Sequence, residues 1–145
     1  MPTKRRLPVL ALLGGLLTVP PCQAETPQLV VEVSGIRSAE GNLRVSLYRE
    51  PDSFRKEDRA FRLMTQPAAV GKARLAFADI PPGRYAVMAY HDENSDEKLN
   101  LRLGMFPTEG YALSNNPKVI GPPRFEDSAF DLPGTSAPLP LPLKY

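Results

Sequence analysis

The chain has one cysteine, Cys22, one histidine, His91, and no tryptophan. A lone cysteine cannot close an intrachain disulfide, and a lone histidine excludes the multi-histidine sites that hold zinc or copper. Long apolar runs are also missing. The longest uncharged apolar stretch, Leu7 to Val19, falls short of the roughly 20 residues a membrane-spanning helix needs. Helix-bundle composition is absent too, because 17 prolines in 145 residues interrupt any long helix and favour short strands joined by turns.

The N-terminus has the three-part layout of a secretory signal. Lys4, Arg5 and Arg6 precede the Leu7–Val19 run, then Pro20 and Pro21 lead to Cys22-Gln23-Ala24, with small side chains three residues and one residue before an expected cut. Cleavage after Ala24 is expected, leaving residues 25–145 as a single domain. Lipidation of Cys22 is the competing reading, but it wants a small residue where Pro21 stands. Both readings imply export, so the expected location is periplasmic or secreted. Removing residues 1–24 lowers Lys+Arg from 18 to 15 against 16 Asp+Glu, a net charge near −1. That charge supplies no basic field for nucleic acid or anionic lipid. The expected partner is a protein or carbohydrate of the cell envelope, and the expected state is a monomer without a membrane span.

Strand periodicity accounts for much of the remainder. Leu29, Val31 and Val33 alternate with Val30, Glu32 and Ser34, and after a turn-rich Ser38 to Asn42 the residues Leu43, Val45 and Leu47 alternate with Arg44, Ser46 and Tyr48. Two such runs predict a β-hairpin. Pro51 to Arg62 predicts a surface helix or an ordered loop. Ala73, Leu75 and Phe77 mark a further strand, and Pro81-Pro82-Gly83 turns into a central strand, Tyr85 to Tyr90, apolar on both faces. Phe125 to Leu132 predicts another. The tail Pro138-Leu139-Pro140-Leu141-Pro142-Leu143 places its prolines along one backbone edge and its leucine N–H groups along the other, which fits an edge strand with a blunted rim. The predicted fold is an all-β antiparallel sandwich, immunoglobulin-like or prealbumin-like, with one long loop from His91 to Pro123.

That loop holds the one dense polar cluster. Asp92, Asn94, Asp96 and Asn100 offer side-chain oxygens and Lys98 a backbone carbonyl, the alternate-residue pattern with which loops wrap calcium. A hand-type calcium loop would carry glycine at Glu97 and a bidentate glutamate at Leu103, so the remaining acid must come from Glu109, Glu126 or Asp127. The plain reading is a solvated acidic turn whose side chains bond their own backbone. His91, Asp92 and Ser114 contain the minimum parts of a hydrolase, without a nucleophile motif, and a structural histidine at a strand end accounts for His91 as well. Tyr111, Asn115 and Asn116, with His91, offer a ring and amides suited to a sugar or a peptide, or simply fix turns.

The segments Pro81-Pro82-Gly83-Arg84-Tyr85-Ala86-Val87, His91-Asp92-Glu93-Asn94, Lys98-Leu99-Asn100, Glu109-Gly110-Tyr111, Ser114-Asn115-Asn116 and Pro122 to Phe130 together resemble the DUF2141 family of exported bacterial proteins of unknown function. The resemblance implies a sandwich and no activity. That family's loop usually reads Glu-Asn-Gly-Asn-Gly-Lys-Leu-Asp, whereas this chain has Ser95 and Glu97 in place of the glycines and Asn100 in place of the last acid. The function expected is therefore a non-catalytic binding module with a calcium-ordered loop. A cell-envelope hydrolase using His91 and Asp92, and a structural accessory domain, are the alternatives.

Overall fold

A computed structural model describes residues 27–134 and 137–145. The predicted signal segment and Cys22 lie outside the described residues. In chain order the strands are β1 (Gln28–Ile36), β2 (Asn42–Tyr48), β3 (Arg62–Pro67), β4 (Gly71–Ala78), β5 (Gly83–Asp92), β6 (Leu101–Arg102), β7 (Phe106–Pro107), β8 (Tyr111–Leu113), β9 (Phe130–Leu132) and β10 (Leu139–Pro142). One short helix, α1 (Phe125–Ser128), precedes β9, and two 3₁₀ turns, Pro51–Ser53 and Glu57–Arg59, follow β2.

The strands form a sandwich of a three-stranded sheet, β10-β1-β4, and a five-stranded sheet, β3-β2-β5-β8, in which β9 also pairs with β5. Alternation builds the core between them. Leu29, Val31 and Val33 of β1 and Ala73, Leu75 and Phe77 of β4 meet Leu43, Val45 and Leu47 of β2 and Tyr85, Val87 and Ala89 of β5. Each fully buried Leu or Val there contributes roughly 1.5–3 kcal/mol of apolar transfer. The other parity of the five-stranded sheet is covered as well. Tyr48, Ala86, Met88, Tyr90 and Leu113 pack beneath Phe54 and Phe125, making a second cluster on the outer face. The central strand, buried on both faces from Tyr85 to Asp92, is thus explained.

The structure corrects two local expectations and adds one strand, β3, that the sequence did not mark. β1 and β2 share no hydrogen-bonded register, since each belongs to a different sheet and the Ser38 to Asn42 turn carries the chain across the sandwich. Alternation sets which side chains face inward, not which strand is the neighbour. β3 carries no clear apolar alternation because it is an edge strand with only Met64 and Gln66 half-buried, so its place is decided by pairing with β2. Phe125 to Leu132 divides into α1 and the three residues of β9, with Asp127 accepting the Arg124 N–H at 2.8 Å to start the helix.

The proline-rich tail is an edge strand. β10 runs parallel to β1, with Leu139 opposite Val31 and Leu141 opposite Val33, and the Leu143 N–H donates to the Ser34 carbonyl at 2.9 Å. Leu141 is fully buried while the intervening prolines bring no N–H. The Pro81-Pro82-Gly83 turn is tied to β5 by the buried Tyr85, whose hydroxyl donates to the Pro81 carbonyl at 2.7 Å.

Candidate functional site

β5 and β8 are antiparallel, and the long loop connects them at the end of β5 that carries His91 and Asp92. Neighbouring residues of a strand point to opposite faces, so these two side chains do different things. His91 continues the inward parity of Val87 and Ala89 and is fully buried. Its Nε2 lies 2.8 Å from the Glu40 carbonyl, which can only accept, so Nε2 carries the proton. Nδ1 then accepts from the Tyr145 hydroxyl at 2.9 Å, and that oxygen in turn accepts the Arg37 N–H at 3.1 Å. Arg37 also spans the Tyr145 ring at 4.1 Å and forks onto Glu93 at 2.7 and 2.8 Å. The hydrogen bonds from Arg37 hold the Glu93 carboxyl below the usual carboxylate range. Gly110 leaves room for this pairing, because a Cβ on it would meet the Tyr145 ring and push it from its present place beside His91.

Asp92 faces the other way and organises the loop. One of its oxygens accepts the Asp96 N–H at 3.1 Å and the other the Glu97 N–H at 3.0 Å, while its side chain is fully buried. Glu109, also buried, staples the far side by accepting the Glu93 and Asn100 N–H groups, each at 3.0 Å. Between them Asp96 accepts Asn94 Nδ2 at 3.2 Å, Asn100 Nδ2 at 2.8 Å and the Lys98 N–H at 3.0 Å. The bond from Asn100 is the main reason the Asp96 carboxyl is also lowered. Gly41 closes the cage from β2's side. It has φ +65°, and a Cβ there would lie 1.9 Å from the Asp92 carbonyl.

The calcium-spaced residues are therefore brought together, but their oxygens accept N–H groups. Asp92, Asn94, Asp96, Asn100 and Glu109 form one hydrogen-bonded unit, to which Lys98 contributes its N–H. Glu126 and Asp127 do not join them, since Asp127 bonds Arg124 at the start of α1. Among the described residues no three His, Cys, Asp or Glu side chains are grouped so as to hold a metal ion.

His91 and Ser114 are not brought together. Ser114 lies beside Val87, four residues back along β5, which at roughly 3.4 Å per residue is about 13 Å away. Its hydroxyl accepts the Val87 N–H at 2.9 Å and bonds the Ser128 carbonyl. A nucleophile and its base need about 3 Å. Of the residues expected to grip a ligand, Tyr111 is engaged through its backbone with Lys144 in both directions at 2.9 Å, and Asn115 donates to the Ala129 carbonyl at 2.8 Å. Tyr111 and Asn116 line a cavity of about 70 Å³, far below the roughly 300–1,000 Å³ of small-molecule sites.

Sequence reasoning overlooked the apolar part of the loop. β6 and β7 pair as a small hairpin, Leu101 opposite Pro107 and Arg102 opposite Phe106, turning at Leu103 and Gly104, both with positive φ. Leu101, Leu103, Met105 and Phe106 stand 46%, 79%, 67% and 55% exposed. The hairpin is rooted in the polar cage, because the Thr108 N–H and hydroxyl both donate to the Asn100 carbonyl. A second exposed apolar pair, Val119 and Ile120, follows β8. The available signal was four large apolar residues within 101–106, outside any stretch with core periodicity.

A family model described as "Uncharacterized protein conserved in bacteria (DUF2141)" matches residues 31–138. The chain belongs to this family. No curated protein and no solved structure matches it. The DUF2141 loop pattern given above now has a conformational meaning. Ser95 and Glu97, which stand where that pattern has glycine, have φ +58° and +62°. Non-glycine residues are strained in this region, and the Asp92 bonds to the Asp96 and Glu97 N–H groups hold the backbone there.

Proposed function

We propose that this DUF2141 chain is a non-catalytic binding module of the cell envelope that works outside the cytoplasm and makes contact through residues 101–120. One observation carries the reading. Of nine exposed large hydrophobic residues among those described, six lie in this segment, and four of them sit on a hairpin that buried carboxylates hold in place. Monomeric proteins seldom present such side chains together unless something covers them. Export rests on the Lys4 to Ala24 segment. The loop's side chains already bond its own backbone, and this reading assigns it no calcium.

A photoreactive residue in place of Met105, introduced into the full chain in cells, tests this reading against one in place of Lys72 on the exposed face of β4. We expect an adduct at position 105 and none at 72. Absence of any adduct at 105 would overturn the module.

A further inference from the structure

We infer that the open cleft between the Pro51–Ser53 turn and the start of α1 holds a free apolar amino acid in its zwitterionic form. The inference goes beyond the binding-module reading, because no residue of 101–120 lines this cleft. Its volume is about 280 Å³, against about 70 Å³ for the cavity beside Tyr111. That is just under the roughly 300–1,000 Å³ of small-molecule sites, which sizes the occupant as one small molecule and not a chain segment.

Two segments far apart in the chain build the cleft. Phe54 and Phe125 are its buried lining, at 6% and 5% exposure with their rings edge to face 6.0 Å apart, and Pro51 and Pro123 line it beside them. None of these four side chains carries a hydrogen-bonding group, so they take hydrocarbon.

The other lining residues are charged and exposed, namely Arg55, Arg124 and Glu126. Among the described residues the Arg55 guanidinium and the Glu126 carboxylate make no hydrogen bond or ion pair. Arg55 has φ +64°, a region where an L side chain is strained, so an arginine stands at the cleft where glycine would fit the backbone better. Arg124 Nε lies 3.9 Å from Asp127, beyond hydrogen-bond reach, and the Arg124 side chain is 81% exposed. The neighbouring acids Asp52, Asp58 and Asp127 do not line the cleft, and Asp127 accepts the Arg124 N–H.

Two cations and one anion beside an apolar lining match one set of ligand charges. A carboxylate takes the guanidiniums, whose planar forks suit it. An ammonium takes Glu126, and an apolar side chain lies against Phe54 and Phe125. A purely anionic ligand leaves Glu126 opposed, and a purely cationic one meets two arginines.

Calorimetric titration tests the inference on the chain purified from the cell fraction where it accumulates. The probes are L-phenylalanine, L-leucine, 3-phenylpropionate, which lacks the ammonium, and 2-phenylethylamine, which lacks the carboxylate. We expect both amino acids to bind saturably, 3-phenylpropionate about tenfold more weakly than L-phenylalanine, and 2-phenylethylamine roughly a hundredfold more weakly. Arg55→Gly and Arg124→Gln should each weaken L-phenylalanine about tenfold, and Glu126→Gln should bring L-phenylalanine and 3-phenylpropionate to one affinity. Glycine suits the backbone at position 55, so the first variant keeps its fold, and thermal unfolding checks all three. No saturable binding of either amino acid, or binding that all three variants leave unchanged, sinks the inference. Equal affinity of the parent for L-phenylalanine and 3-phenylpropionate would remove the zwitterion from it.

Discussion

The two halves of the long loop are opposites. Residues 92–100, with Glu109, are mostly polar, and their two buried carboxylates, Asp92 and Glu109, are satisfied by backbone N–H groups. Residues 101–107 are apolar and open, with side chains that touch little of their own protein. The first half spends its chemistry on holding shape, and the second is the part held out. The buried carboxylates thus hold the loop's shape, and the apolar residues beside them are exposed. Buried carboxylates bonded to N–H groups are costly to remove, whereas solvent-exposed leucines add little to stability, so mutation separates the halves.

The sharpest division comes from Asp92→Ala, which leaves the Glu97 N–H without its acceptor and the Asp96 N–H with Asn94 Oδ1 alone, at 3.2 Å. A loss of about 3 kcal/mol is expected in urea unfolding. Glu109→Ala removes the second staple and should cost about 2 kcal/mol by the same measurement, and it should raise hydrogen exchange at Asn100 and through β6 and β7. A smaller effect belongs to pH. The folded Glu93 carboxyl is lowered by Arg37, so its contribution is present above the ordinary carboxylate range and is lost as pH falls through the lowered value. Arg37→Ala should flatten that acid limb in unfolding curves taken at a series of pH values. On the open half, Leu103→Ser/Met105→Ser/Phe106→Ser should leave stability within about 0.5 kcal/mol; a large loss would mean that the hairpin is core. Calcium, added or chelated, should leave the thermal midpoint where it is, and a rise with calcium would reinstate an ion in the closed half.

The legible parts of the fold were those in which one side chain's neighbours repeat along the chain. Alternation marked β1, β2, β4 and β5, and the spacing of Pro140 and Pro142 marked an edge strand. β3 was not legible, because an edge strand with little burial has no apolar period to display. Within the candidate site, the carboxylates and amides of 92–100 were legible as one cluster, and the structure shows their oxygens bonded to N–H groups. Alternate-residue oxygens can bond backbone N–H groups and a cation together, so the spacing alone assigns neither. Tyr145 could not be paired with His91 from 54 residues away, nor Gly41 with Asp92 across two strands.

By itself the sequence determined which residues face inward, that a polar turn follows the central strand, and which family the chain resembles, since each of these depends on local spacing or on motif order. The tertiary structure alone decided that β1 and β2 part into separate sheets, that Asp92 and Glu109 turn their charge on the backbone, and that Leu103, Met105 and Phe106 stand clear. Those outcomes depend on which distant groups arrive beside each residue. Spacing along the chain holds no record of that.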